Sequence, residues 1–230
     1  MSIDALAPLD PQALAALTLT RATVRAYVRH VYLPADAAPD PLWVNAAAPS
    51  RFQTLGGTLY LAEDSTTVWA ELCRARAAEV AAADPTGGVG LHPDSFAYYA
   101  GRPLGVPVDA RALFEVRFDV EWIADLTTPH NLAILADGGI SDSQLRADDY
   151  GRCPNLARFG EANGWQAIRS RSAAYRNGVC VAVMPGYHPT RGLWRVLIPA
   201  ARPTIGVAYL TRYRDGQRPM WLDGPAARAA

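Results

Sequence analysis

The residue types most often used in metal binding and nucleophilic catalysis are present, but they are not spaced for those chemistries. The four histidines lie far apart, and none has a partner at metal-ligand spacing. No serine lies in a Gly-x-Ser-x-Gly motif, and the Gly-Gly pairs do not form the Gly-x-Gly-x-x-Gly turn of a dinucleotide-binding fold. The sequence therefore gives little support to a zinc or iron enzyme, a serine hydrolase or a Rossmann dehydrogenase.

A second set of polar residues lies where a fold alone does not require them. Arg51 precedes a turn, Tyr60 lies in a short apolar segment, and Glu71 lies at the border of the apolar stripe of the next helix. Ser170 and Ser172 both lie at the end of a later strand. A glutamate at such a border is usually solvated, and polar residues at strand ends are common. The pattern by itself therefore identifies candidates without identifying a reaction.

The elements that must position these residues follow from hydrophobic periodicity and capping signals. Strands are predicted at residues 23–33, 58–63, 113–122, 165–169, 178–184 and 204–214. Helices are predicted at 10–18, about 65–82, about 128–136 and 142–163, the last interrupted near 151–154. Asp10 should cap the first helix, with Pro11 at its first position. Strands lie toward both ends of the chain with helices between them, which predicts an α+β fold in a single domain.

Composition narrows the possible functions. The chain has 230 residues, half of them hydrophobic, which is enough to bury a sizeable core. All 22 basic residues other than histidine are arginine, so a catalytic lysine Schiff base and a P-loop lysine are excluded. The net charge of zero argues against a nucleic-acid-binding protein. Three scattered cysteines, an N-terminus without a basic region and the lack of a membrane-length apolar run predict a cytoplasmic protein that does not bind a membrane.

Three blocks of the sequence, in order, resemble those of RES-domain proteins. They are PLWVNAAAPSRFQTLGGTLYLAEDSTTVWAEL, IADLTTP and GWQAIRSRSAAYRNGVCVAV. The resemblance covers about residues 25–185, and the order and spacing of the blocks agree together. The third block of the family has a serine before a buried strand. Here Ser170 or Ser172 could fill that position, and Ser172 is preferred because of its distance from the strand.

The family is named for an arginine, a glutamate and a serine. These map onto Arg51, Glu71 and Ser172, which the resemblance implies are catalytic. The family also has an arginine in its first strand, for which Arg29 is preferred to Arg25. The implied boundaries are an N-terminal helical extension at 1–20, the RES domain at 21–215 and a C-terminal tail at 216–230.

The resemblance also implies a fold and an activity. RES domains are similar to ADP-ribosyltransferases and diphtheria-like toxins, which have a split mixed β-sheet with flanking helices and a cleft for NAD. The implied activity is cleavage of the nicotinamide–ribose bond of NAD as substrate, by hydrolysis or phosphorolysis, with no metal. The alternatives are a protein ADP-ribosyltransferase and a non-catalytic interaction protein that keeps the RES scaffold.

The implied reaction assigns a role to each mapped residue. Cleavage passes through an oxocarbenium-like state, so Glu71 would stabilise positive charge and hold a ribose hydroxyl. Arg51, together with Arg29, would bind the diphosphate in the bidentate way that arginine favours. Tyr60 would lie against the nicotinamide ring, and Ser172 would hold the ribose or the carboxamide.

The resemblance implies a protein partner as well. Many RES-type toxins are held by a cognate antitoxin, often one with an Xre-like helix-turn-helix domain and a C-terminal tail that enters the active site. An acidic or carboxylate-terminated tail could pair with cleft arginines in place of the diphosphate. We therefore expect such a partner for this chain.

Overall fold

The computed structural model describes residues 9–30, 50–64, 67–68, 70–71, 74, 112–147, 150–187 and 194–197. The description is limited to the backbone at residues 25–30, 112–115, 117–118 and 194–197. The predicted strand at 204–214, the predicted tail at 216–230 and the predicted helix beyond residue 74 lie outside the described residues.

Four of the helices in the described residues begin where the sequence offers a cap or a proline. They are α1 (Pro11–Ala15), α2 (Pro129–Asp137), α3 (Asp142–Leu145) and α4 (Cys153–Ala162). The Asp10 carboxylate accepts a hydrogen bond from the Gln12 N–H at 2.9 Å, which satisfies a donor that the first turn leaves unpaired. Ser141 and Gln144 form a reciprocal capping box at the start of α3. The predicted Asp10 cap and the proline at the first position of α1 are confirmed.

Six strands of the described part of the chain form one mixed sheet. They are β1 (Leu19–His30), β2 (Leu59–Ala62), β3 (Ala112–Asp125), β4 (Ala167–Arg171), β5 (Val179–Val183) and β6 (Trp194–Leu197). Their order is β1-β2-β5-β4-β3-β6. Because β3 also pairs with β1, strands β1 to β5 form a closed ring, and β6 is attached to β3 outside it. The β3–β4 pair is parallel and the other pairs are antiparallel. The predicted α+β class and mixed sheet are confirmed, whereas the likeness to ADP-ribosyltransferases stays a prediction.

Alternation along the strands separates two apolar layers. One face collects buried residues from all five strands of the closed set, among them Val24, Leu61 and Val181. The opposite face, including Ile168 and Ala182, packs against the helices. Burial on both faces explains why the central strands are short apolar runs.

Two elements differ from the prediction. The helical region predicted at 142–163 was expected to be interrupted near 151–154, whereas α3 already ends at Leu145 and α4 begins at Cys153. Between them, Tyr150 and Gly151 adopt positive φ values of 59° and 42°, which an α-helix does not contain. The short strand β6 was missed, since four residues carry too little periodicity to predict a strand.

A three-way ion pair joins the ends of β2 and β3 to the middle of β4. The guanidinium of Arg169 in β4 donates to both carboxylate oxygens of Glu63, which follows β2, at 2.6 and 2.8 Å. It also donates to Asp125, the last residue of β3, at 2.8 Å. The bidentate geometry fixes Glu63 beside the sheet, directly before the helix that carries Glu71.

Candidate active site

The helix that carries Glu71 begins directly after β2. The Asp64 carboxylate accepts hydrogen bonds from the backbone N–H and the hydroxyl of Thr67, at 2.7 and 2.6 Å. The described residues between 67 and 74 are helical. Glu71 therefore lies one turn beyond Thr67 on the same side of the helix. The predicted helix is confirmed at the described residues from 67 to 74, and its predicted start near residue 65 and its predicted end lie outside the described residues.

Three donors converge on one oxygen of Glu71. The Ser172 hydroxyl donates to Oε1 at 2.6 Å, and the Ala173 N–H donates to it at 3.0 Å. The Cys180 thiol lies 3.7 Å from the same oxygen. Within the part of the chain that the structure describes, no donor is seen at Oε2. Among the described residues, the carboxylate is thus held through one oxygen.

Ser172 is itself fixed by the loop after β4. Its Oγ accepts hydrogen bonds from the N–H groups of Ala174 and Tyr175, both at 3.0 Å, and its own N–H donates to the Gly178 carbonyl at 2.8 Å. The residue is 1% exposed, so water cannot replace these partners. The serine hydroxyl is therefore aimed at the carboxylate before any ligand binds.

The structure distinguishes the two candidate serines. Ser172 contacts Glu71, whereas Ser170 lies inside β4 opposite Cys180 in β5 and is buried. Among the described contacts, Ser170 makes none with Glu71. The geometry brings Ser172 to the carboxylate and leaves Ser170 in the sheet.

Gly178 permits the close approach of the helix to this loop. A Cβ at Gly178 would lie 2.8 Å from Thr67 Cγ2 and 3.1 Å from Ser172 Cβ. The shorter distance, 2.8 Å, is a steric clash for a Cβ atom. The absence of a side chain at Gly178 therefore allows Glu71 to reach the serine.

Arg51 is held by backbone carbonyls and an aromatic ring. Its Nη1 donates to the carbonyls of Leu145 and Ala147, the latter at 2.9 Å. Its guanidinium lies over the Tyr150 ring, 5.2 Å from the centroid, which is a cation–π distance. Within the described ranges, no partner is seen for Nε or Nη2. One edge of the guanidinium is therefore fixed by these carbonyls.

Tyr60 lies next to Arg51 and is anchored through its hydroxyl. The phenol oxygen accepts the N–H of Phe52, and the ring packs against the helix-covered layer. Burial raises the pKa of Tyr60 well above its usual value, while the positive charge of Arg51 acts in the opposite direction. Tyr60 is therefore a neutral aromatic residue beside Arg51. Its predicted contact with nicotinamide stays a prediction.

The Cys180 thiol connects the arginine and carboxylate halves of the site. Burial raises the pKa of Cys180, and the nearby Glu71 charge raises it further, whereas Arg51 lowers it. The thiol contacts Glu71, and Cys180 pairs with Ala62, which lies two residues from Tyr60, whose hydroxyl accepts the N–H of Phe52 next to Arg51. Arg25 and Arg29 lie in β1, with backbone partners Arg117 and Leu113.

Sequence reasoning missed Tyr150 and Cys180. A non-glycine residue at positive φ is uncommon and often lies at a functional site, but the sequence hint was only the following Gly151. Cys180 was visible as a cysteine in a predicted strand. Its contact with Glu71 depends on the pairing of β5 with β2 and β4, which the sequence does not specify.

Two absences hold for the described residues. Those ranges contain no group of three or more histidine, cysteine, aspartate or glutamate side chains that could hold a metal ion. Among the same residues, no helix has the length and apolar character needed to cross a membrane.

Comparison with known proteins identifies a similar fold. Neither a protein-family model nor a curated protein matches the sequence. Among solved structures, a chain in the crystal structure of the M. tuberculosis MbcT–MbcA toxin–antitoxin complex is similar, with a TM-score of 0.53 and 17% identity. The match covers 87% of this chain and 96% of that chain. The protein therefore shares the fold of one component of a toxin–antitoxin complex.

Proposed function

We propose that this protein is the toxin of a toxin–antitoxin pair and that it cleaves the nicotinamide–ribose bond of NAD. The observation that carries the proposal is the Glu71–Ser172 pair, in which a carboxylate is oriented by three donors on one oxygen. The fold shared with a chain of a toxin–antitoxin complex supports the toxin role. The RES-like blocks in the sequence support NAD as the substrate.

The geometry suits cleavage through an oxocarbenium-like state. When the C1′–N bond breaks, its electron pair leaves with neutral nicotinamide and positive charge develops on the ribose. The Oε2 atom of Glu71, which has no donor in the described part of the chain, would face that charge. Water or hydrogen phosphate then bonds to C1′; when water is the acceptor, it loses a proton to solvent, and when hydrogen phosphate is the acceptor, its negative charge neutralises the cation. Because Ser172 and Ala173 already hold Oε1, little reorganisation is needed at the moment of reaction.

Arg51 supplies the complementary charge for the diphosphate. Its Nη1 is fixed on the carbonyls of Leu145 and Ala147, so the guanidinium plane is oriented before substrate binds. The remaining edge can donate two parallel hydrogen bonds to phosphate oxygens. Since this contact exists in the ground state, Arg51 should contribute mainly to substrate binding.

The activity is tested with the full-length protein, NAD and a chelator, following nicotinamide release by chromatography. The matched variants are Glu71→Gln and Glu121→Gln. Glu121 is a glutamate in β3 whose side chain is 59% exposed. Glu71→Gln keeps the shape but removes the charge, and turnover should fall by about 10²–10³-fold. Glu121→Gln should keep the wild-type rate.

Two results would overturn the proposal. One is the lack of nicotinamide release by the wild-type protein at high concentration. The other is near-normal turnover in Glu71→Gln. ADP-ribose found on a protein, in place of free ADP-ribose or ADP-ribose phosphate, would indicate a transferase that uses the same first step.

We also propose a cognate antitoxin that covers the site, since an enzyme that consumes NAD would harm the cell that makes it. Expression of the chain alone should stop growth and lower cellular NAD, and co-expression of the antitoxin should restore both. Normal growth with soluble protein and unchanged NAD would argue against the toxin role. The Xre-like type of this antitoxin stays a prediction.

A further inference from the structure

We infer that Thr58 is a positioning residue for Arg51. Together with Tyr60, it holds the two peptide groups that follow Arg51, and this fixes the position from which the guanidinium meets an anion. The inference deepens the proposed function and rests on it for the identity of that anion as the diphosphate of NAD. Thr58 lies in a block that resembles RES-domain proteins, but the resemblance gives it no role.

A tight turn brings Thr58 and Tyr60 back to Phe52. The Gly57 N–H donates to the Thr54 carbonyl at 3.3 Å, which closes a four-residue turn. Gly57 has a φ of 82°, a value that glycine adopts without a steric penalty. In the extended segment that leads into β2, side chains two positions apart point to the same side, so the hydroxyls of residues 58 and 60 both reach Phe52.

These two side chains hold two consecutive peptide groups. The phenol oxygen of Tyr60 accepts the N–H of Phe52, which belongs to the peptide group that joins Arg51 to Phe52. The Thr58 hydroxyl donates to the Phe52 carbonyl at 2.7 Å, and this carbonyl belongs to the next peptide group. The backbone directly after Arg51 is therefore fixed by one side chain from β2 and one from the residue before it.

The hydrogen bond from Thr58 lies in the protein interior. Phe52 is 1% exposed and Thr58 is 8% exposed. The Thr54 hydroxyl lies 3.4 Å from that of Thr58, but it donates its own proton to the Gly57 carbonyl at 3.0 Å. A hydroxyl has one proton to donate, and that of Thr58 is directed to Phe52. Because water has little access here, removal of this hydroxyl should leave the Phe52 carbonyl without an equivalent partner.

Arg51 is thus held at both ends. Its guanidinium donates to the carbonyls of Leu145 and Ala147, and its backbone adjoins the two peptide groups held by Thr58 and Tyr60. If the peptide group after Arg51 rotates, the displacement is largest at the tip of the long side chain. A misplaced guanidinium would bind a diphosphate less tightly in the ground state and in the transition state alike. Loss of the Thr58 hydroxyl should therefore raise KM more than it lowers kcat.

The test compares Thr58→Val, Thr58→Ser and Thr128→Val in the full-length protein. Thr58→Val keeps the shape and removes the hydroxyl, whereas Thr58→Ser keeps the hydroxyl. Thr128 is the matched control, because its hydroxyl also donates to a backbone carbonyl, that of Asp125 at 3.2 Å, at the start of α2. The affinity for inorganic pyrophosphate is measured by calorimetry, together with KM and kcat for NAD and the urea midpoint of unfolding.

The three variants should differ in what they change. Thr58→Val should weaken the affinity for pyrophosphate and raise KM by roughly tenfold, with kcat changed by less than about twofold. Thr58→Ser should stay close to the wild-type values, since the donor is kept. Thr128→Val should lower the urea midpoint and leave KM and the pyrophosphate affinity unchanged, which separates a loss of position from a loss of stability.

The decisive measurement repeats Thr58→Val in an Arg51→Gln background. If Thr58 acts through Arg51, the substitution should change KM and the pyrophosphate affinity by less than about twofold once the guanidinium is absent. A purely structural role would give the same loss in both backgrounds and would overturn the inference. If Thr58→Val does not fold, Tyr60→Phe takes its place, because it keeps the ring and removes the oxygen that accepts the Phe52 N–H.

The outcomes separate this inference from the proposed function. If the wild-type protein binds pyrophosphate and Thr58→Val weakens that binding only while Arg51 is present, the inference stands even when no NAD is cleaved, and NAD cleavage falls. If NAD is cleaved but Thr58→Val keeps the wild-type KM and pyrophosphate affinity, the inference is overturned and the proposed function stands. An equal rise of KM in Thr128→Val would trace the effect to stability and would also overturn the inference. A wild-type protein that binds neither pyrophosphate nor NAD would overturn both.

Discussion

Replacing Ser172 with alanine should remove the anchor of Glu71 and destabilise the protein at the same time. The hydroxyl donates to the Glu71 carboxylate at 2.6 Å and accepts the N–H groups of Ala174 and Tyr175 at 3.0 Å. The variant removes all three of these hydrogen bonds, and because Ser172 is 1% exposed, water cannot replace them.

The expected cost follows from these three bonds. A hydrogen bond to a charged group contributes about 1.5–3 kcal/mol, and a neutral one contributes about 1 kcal/mol. The bonds share one oxygen and are not additive, so we expect the free energy of unfolding to fall by about 3–4 kcal/mol. NAD turnover should fall as well, because the carboxylate loses its orientation.

The measurement is urea unfolding followed by tryptophan fluorescence, with Ser170→Ala as the matched control. Ser170 is also buried and lies two residues away, but the described contacts show no bond from its hydroxyl to Glu71. Its replacement should change the free energy of unfolding by less than about 1 kcal/mol. Equal costs for the two variants would refute the view that Ser172 anchors the site.

Two further predictions concern titrating groups. Because burial, followed by the Glu71 charge, raises the pKa of Cys180, folded protein should react slowly with iodoacetamide near pH ~8. In Glu71→Gln, the rate at which Cys180 is modified, followed by mass spectrometry, should rise, and the rate at Cys153 should stay unchanged. Equal increases at both cysteines would instead indicate that the substitution destabilises the fold as a whole. Burial raises the pKa of Asp125, but hydrogen bonds from Thr127 and Arg169 outweigh burial and hold this pKa below its usual value. The stabilisation from the Asp125 carboxylate is fully present at pH values above its usual pKa, and it is lost as the pH falls through the lowered pKa of the folded protein. The urea concentration at the midpoint of unfolding should therefore fall in acid, and it should fall less in Asp125→Asn.

Strong local signals predicted most of the described fold. The alternation at 113–122 and the apolar run at 178–184 gave strands because each pattern is set by burial of alternate or consecutive side chains. Asp10 and Pro11 located the first helix through capping chemistry. The interruption before α4 was predicted to be shorter than it is, because the positive φ of Tyr150 cannot be predicted from its residue type.

The site was predictable in its residue types but less so in its contacts. The sequence singled out Arg51, Glu71 and Ser172. The reason to choose Ser172 over Ser170 is its contact with Glu71, which depends on the conformation of the loop after β4. The Cys180 contact depends on register between strands far apart in the chain, and periodicity carries no register information across such distances. The roles of these residues in catalysis stay predictions.

The order of strands in the sheet sets when the site can form during synthesis. The bond between Glu71 and Ser172 joins residues 101 positions apart. β5 lies between β2 and β4, so neither pairing can form until residues 179–183 have left the ribosome. At roughly 5–20 residues per second, that segment is made about 5–20 s after Glu71. The carboxylate of Glu71 therefore acquires its serine partner only seconds after Glu71 itself has been made.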